Sequence, residues 1–203
     1  MASINDDASK RRAERQVKRA AGVSESQNAI ALLKADHRQV EKLFKAFKAS
    51  KSAADQQLLA KQICTALKTH MQLEEEIFYP AFIGATDDRA IHNEAVVEHQ
   101  SAKALIGEIE SSVAGDPLFD ARVTVLAEMI KHHVKEEERF RGMFLTARVA
   151  KMDLRALGAL MEARKRELEA GERRPADEPE VASLMMGAAR REQIDHPAEG
   201  DNA

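Results

Sequence analysis

The chain has 203 residues, 44% hydrophobic and 32% charged, a balance that fits one globular domain with tails and excludes a largely disordered or membrane-embedded chain. A net charge of −3 gives no overall attraction to nucleic acid or anionic lipid. The single cysteine, Cys64, rules out an internal disulfide, and no apolar run is long enough for a bilayer span or a secretory h-region, so a cytoplasmic location is expected.

Pro and Gly are almost absent between Gln27 and Gly171, and Pro80, Gly84, Gly115 and Pro117 stand where one periodic segment gives way to the next. This spacing predicts an all-α chain with helices at 27–49, 54–79, 87–113, 119–147 and 152–170. No segment alternates β-branched and aromatic residues over a strand's length. In the first helix Ile30, Leu33, Val40, Phe44 and Phe47 step by three and four with one gap, which His37 fills. The second offers Leu59, Ile63, Ala66, His70, Leu73 and Ile77, with Cys64 off that stripe and read as an inert thiol. The third offers Ala95, His99, Ala102, Ile106, Ile109 and Val113. In the fourth, Val123, Leu126, Ile130, His133, Glu137, Phe140 and Phe144 form the inward face, and the adjacent His132 is rotated off it by about 100°.

These histidines belong to a repeat. His70-Met-Gln-Leu-Glu74 recurs as His133-Val-Lys-Glu-Glu137 at an offset of 63 residues, and Asp36-His37 recurs as Glu98-His99 at 62. A four-residue step climbs about 6 Å and returns to nearly the same face, so each His-x-x-x-Glu pair can aim two donor atoms at one point. Opposed helices then bring His37, His70, Glu74, His99, His133 and Glu137 to one buried locus. Imidazole and carboxylate without thiolate suit iron or manganese and tolerate zinc. Six donors exceed the needs of one tetrahedral zinc but fit two metal ions bridged by two carboxylates.

The plainer alternative is four satisfied core histidines and a solvated Glu-Glu-Glu face. It leaves several buried polar groups to satisfy at about 1–3 kcal/mol each, a sum that rivals a domain's whole stability of about 5–15 kcal/mol. A metal can return on the order of 10 kcal/mol. Other metal-bundle patterns are absent: no His has a Glu three residues before it, and there is no His-Glu-x-x-His. His92 lies about 10 Å along the axis from His99, too far to share its metal, and is expected to cap or to be a buried polar group. His196 is expected in solvent.

Four segments in order, Ala35-Asp-His-Arg-Gln-Val40, His70-Met-Gln-Leu-Glu-Glu-Glu-Ile-Phe-Tyr-Pro80, Val97-Glu-His-Gln-Ser-Ala-Lys103 and His132-His-Val-Lys-Glu-Glu-Glu138, resemble the signatures of the hemerythrin-like, or HHE cation-binding, domain. The resemblance implies an antiparallel up-down four-helix bundle, here with an additional C-terminal helix. It also implies two non-haem iron ions, with His37, His70, His99 and His133 as terminal ligands and Glu74 and Glu137 as bridges. Oxygen-carrying hemerythrins have a further His about one turn from the third-helix His. Here those positions are Ala95 and Lys103, which leaves one iron open to water, oxygen, peroxide or nitric oxide. The proline that often follows the fourth helix's acidic run is replaced by Arg-Phe-Arg-Gly-Met-Phe.

The expected organisation is a basic flexible arm over 1–26, the bundle with its fifth helix over 27–170, and a disordered tail over 171–203. Residues 10–20 carry six basic side chains against one acid, yet nucleic acid is not an expected partner, because short terminal basic runs are commonly solvated. A protein partner could act through the termini, Val181 to Met186 being mildly apolar. The expected function is binding of, or reaction with, oxygen, hydrogen peroxide or nitric oxide, in sensing, storage or detoxification. The alternative is a metal-stapled interaction or stress-response module without redox turnover.

Overall fold

The computed structural model describes residues 28–172, so the expectations for the basic arm, the tail and His196 lie outside the described residues. Of the described residues, 28–166 form one compact unit and 167–172 belong to a second. Helix α1 (Ala29–Ala49) begins at Asn28, whose side chain accepts from the Ala31 amide at 3.0 Å. Ser52 caps α2 (Ala53–Leu73) in the same way through the Asp55 amide at 3.3 Å. A π-helical turn (Glu74–Phe78) follows without a break and leads into α3 (Tyr79–Thr86), which Asp87 ends in the left-handed conformation at φ 52°. Asp88 caps α4 (Arg89–Glu110), and α5 (Phe119–Glu138), α6 (Met143–Val149) and α7 (Leu154–Glu172) complete the order. Among the described residues there is no strand.

Helices α1, α2, α4 and α5 form an antiparallel up-down four-helix bundle in which each packs on its two neighbours. Its apolar core includes Ile63, Leu67, Ile106, Phe119 and Leu126, all at most 2% exposed. The buried polar residues enter the same helical faces as the predicted stripes continue, so core and candidate site share one bundle interior.

The second predicted helix does not stop at 79 but runs through Pro80 to Thr86. Proline has no amide to bond Glu76 and its ring crowds that carbonyl; the π turn just ahead widens the helix where the conflict arises. The widened turn also shifts the inward face by one residue. Ile77, expected inside, is half-buried, while Phe78 and Tyr79 are buried. Cys64 is likewise buried, because the face of α2 turned to the core is broader than the predicted stripe.

The third helix ends at Glu110, leaving Val113 exposed, and the fourth predicted helix is broken after Glu138. Arg141 turns the chain back with φ 64°, and Gly142 lies against the end of α5 so closely that a Cβ there would stand 2.2 Å from the Glu136 carbonyl and 2.7 Å from that of Glu137. Only glycine fits that approach. The break turns Phe140 to solvent, 79% exposed, and directs Met143 and Phe144 inward.

Candidate metal centre

His37 comes from α1, His70 from α2, Glu74 from the π turn, His99 from α4, and His133 and Glu137 from α5; all six are 5% exposed or less. One donor atom each from His37, His70, Glu74 and Glu137 lies within 4.8 Å of the others, and the same holds for Glu74, His99 and His133. The imidazoles face in pairs, His37 Nε2 to His70 Nε2 at 3.2 Å and His99 Nε2 to His133 Nε2 at 3.3 Å. The two carboxylates join the pairs. Glu74 Oε2 is 3.2 Å from His70 and 3.3 Å from His99, while Glu137 presents Oε2 to His37 at 3.3 Å and Oε1 to His133 at 3.8 Å.

A ring of outer carboxylates fixes three of the imidazoles and approaches the fourth. His37 Nδ1 meets Glu138 at 2.9 Å, His99 Nδ1 meets Glu75 at 2.9 Å, and His133 Nδ1 meets Glu98 at 2.7 Å; Asp36 lies 3.8 Å from His70 Nδ1. Each carboxylate adjoins a candidate ligand in sequence yet serves the next helix around the bundle: α1 serves α2, the π turn after α2 serves α4, α4 serves α5, and α5 serves α1. An Nδ1–H donated outward leaves the Nε2 lone pair pointing to the centre, the tautomer a metal ligand needs.

The fit to a metal rests on this arrangement and on atoms that protein partners leave unsatisfied. Glu74 Oε1, both Glu137 oxygens and His70 Nδ1 are buried without a hydrogen bond, an arrangement costly for neutral groups and more so for charged ones. Were both imidazoles Nδ1–H tautomers, their Nε2 atoms 3.2 Å apart would need a proton or a metal ion between them. The electrostatics seek a cation. Burial alone would lower the His70 pKa, but the Glu74 charge, Asp36 and Glu137 raise it to about 10. His133 is lifted to about 9 against burial by Glu137 and Glu98. Burial would raise Glu74, but His70 and His99 hold it well below the usual carboxylate range.

Sequence periodicity missed Tyr79, the chain's single tyrosine. Its hydroxyl lies 3.2 Å from His99 Nε2 and 3.4 Å from Glu74 Oε2, and burial, with Glu74 and Glu137 adding to it, pushes its pKa well above the usual value. Phe144 stacks on His37 with ring centroids 5.9 Å apart and an 11° interplanar angle, and Phe78 meets Phe144 edge-on. A cavity of about 10 Å³ lies among the four histidines, Val40 and Ile130, and one of about 20 Å³ joins Ala95 to His133 and Glu137. Each is of the size of one small molecule such as water. His132 is exposed, and His92, half-buried, contacts Asn93 and the edge of the Tyr79 ring rather than the cluster.

The family model of the hemerythrin HHE cation-binding domain matches residues 28–144, a stretch that holds all six converging residues. The chain belongs to the hemerythrin HHE cation-binding domain family. The structure agrees in fold with a crystal structure of a hemerythrin HHE cation-binding domain-containing protein from Mycobacterium kansasii, at TM-score 0.60 and 23% identity over 71% of this chain and 88% of that one. A protein named DNA nickase from Nostoc sp. is 30% identical over 110 residues, 53% of this chain; the match spans 30% of that protein's length. With Ala95 and Lys103 flanking His99, this HHE chain lacks the further histidine named above. Lys103 instead pairs with Glu75 at 2.5 Å.

Proposed function

We propose that this HHE protein holds two non-haem iron ions and binds or reacts with a small oxidant, oxygen, hydrogen peroxide or nitric oxide, in sensing, storage or detoxification. His37 and His70 would hold one ion, His99 and His133 the other, and Glu74 and Glu137 would bridge them; manganese or zinc could substitute. The observation that carries this reading is the sharing of both buried carboxylates between the two imidazole pairs. Two iron ions there would supply the electrons that reduce a bound oxidant.

The chain's own groups do the rest. The outer carboxylates orient the imidazoles, and Phe78, Phe144 and Ile130 exclude bulk water. The Tyr79 hydroxyl can donate to Glu74, or offer its oxygen as a seventh ligand on the His99 side. Ala95 leaves the His133 and Glu137 side open to a water-sized ligand. No helix among the described residues is long and apolar enough to cross a membrane.

Metal analysis with a visible spectrum tests the reading: about two iron per chain with the absorption of a bridged pair is expected. One tightly bound zinc and no second site would refute it. The likeness to a DNA nickase, with the basic run at 10–20, supports a second reading in which the chain acts on or beside DNA. Salt-dependent retention of duplex DNA, lost when residues 10–20 are neutralised, is its test.

A further inference from the structure

The ring of outer carboxylates is not uniform. Fixed cations cap three of its members: Lys34 and Arg38 on Glu138, Lys103 on Glu75, and Lys165 on Asp36. Such charges repel an approaching metal ion. The fourth, Glu98, has instead the exposed His132, whose Nε2 lies 3.3 Å from Glu98 Oε1. Glu94, one turn earlier on α4, completes a group in which one donor atom each from Glu94, Glu98 and His132 lies within 4.8 Å of the others.

This corner leads inward. The cavity of about 20 Å³ beside it is lined by Glu94, Ala95, Glu98, Glu136, His133 and Glu137. Arg139 also reaches its rim but is held on Glu136 at 2.5 Å. At the inner end stands Glu137, 3% exposed, with neither oxygen hydrogen-bonded. An exposed carboxylate, a half-buried one and an exposed imidazole outside, an unsatisfied buried carboxylate inside and a water-sized gap between them make a graded path for a hard or borderline divalent cation.

We propose that Glu94, Glu98 and His132 form an outer transit site for a divalent cation, through which metal reaches the buried centre by way of Glu137. The proposal rests on the metal-centre reading above. An ion held first at the outer site exchanges water for these ligands and passes along the carboxylates, while the other three corners turn it away.

The test is the rate of ferrous uptake by metal-free protein under anaerobic conditions, measured by removing unbound iron with a chelator after set delays. The double variant Glu94→Gln, His132→Gln should load roughly 5- to 20-fold more slowly than wild type, with weaker salt dependence but the same final iron content. Glu108→Gln, an equal change of charge at an exposed side chain about 15 Å along α4 from Glu98, should load as wild type does. With the buried centre filled, added Mn²⁺ should show a weaker further site by electron paramagnetic resonance, lost in the double variant. Equal uptake rates in all three proteins overturn the transit site while leaving the metal centre standing. A wild-type protein that takes up no metal removes the centre and the route together.

Discussion

His132 and His133 are neighbours in the chain with opposite fates. His133 is 3% exposed, turns Nε2 to His99 and Nδ1 to Glu98, whereas the His132 side chain is 59% exposed. His133→Ala should therefore lower metal content and, by leaving Glu74 and Glu137 uncompensated, destabilise the fold by about 3–5 kcal/mol. His132→Ala should change stability by no more than about 0.5 kcal/mol and leave the metal content at equilibrium intact. Metal analysis and thermal unfolding of the two variants decide it, and equal losses would contradict the assigned faces. Cys64 offers a simpler check. Burial, with the Glu110 charge behind it, pushes its thiol up to about 11, so at mildly alkaline pH almost no thiolate forms in the folded protein. A thiol reagent should leave the native chain unmodified and modify one site once urea has unfolded it; rapid native labelling would show that α2 opens readily.

At the scale of elements, the straight parts of the helices were legible and the departures from them were not. A period of 3.6 placed His37, His70, His99, His133, Glu74 and Glu137 on inward faces, where all six are found. The same period puts Tyr79 off the face of Glu74, five residues earlier. A π turn needs more residues for each rotation, and its amide from Tyr79 to the Glu74 carbonyl brings the two side chains together. The outer carboxylates were hidden for another reason. Asp36, Glu75, Glu98 and Glu138 stand one residue from an inward position, so a single-helix pattern reads them as surface; their partners are on neighbouring helices. The break after Glu138 likewise depends on a tertiary contact at Gly142. Gly142→Ala should push Cβ into the Glu136 and Glu137 carbonyls, costing about 2–3 kcal/mol and lowering the thermal midpoint by roughly 4–12 °C. Because the shift bears on the segment carrying Met143 and Phe144, metal should also leave this variant faster in the presence of a chelator. A variant as stable and as retentive as wild type would mean that the turn relaxes without moving α6.

For the molecule as a whole, the duplicated sequence gives a pseudo-two-fold interior that differs in detail between its halves. Phe144 covers the pair His37 and His70, which borders only the cavity of about 10 Å³ shared by all four histidines, while beside His133 and Glu137 lies the larger one, about 20 Å³, that Ala95 leaves. On the di-iron reading proposed above, the roomier second half would carry the exchangeable position. An imidazole at 95 is far larger than the cavity of about 20 Å³, so it must either turn its nitrogen toward the metal or displace Met143, which lines the same space. Ala95→Leu fills the gap with no donor atom and separates blocking from coordination. After iron loading to equal content, both variants should react with hydrogen peroxide more slowly than wild type in stopped-flow mixing, and Ala95→His alone should also shift the visible spectrum of the resting protein. Slowing in both without a spectral shift would make Ala95 only the floor of the access path. Unchanged rates in both would place the reactive position on the His37 and His70 side, against the asymmetry described.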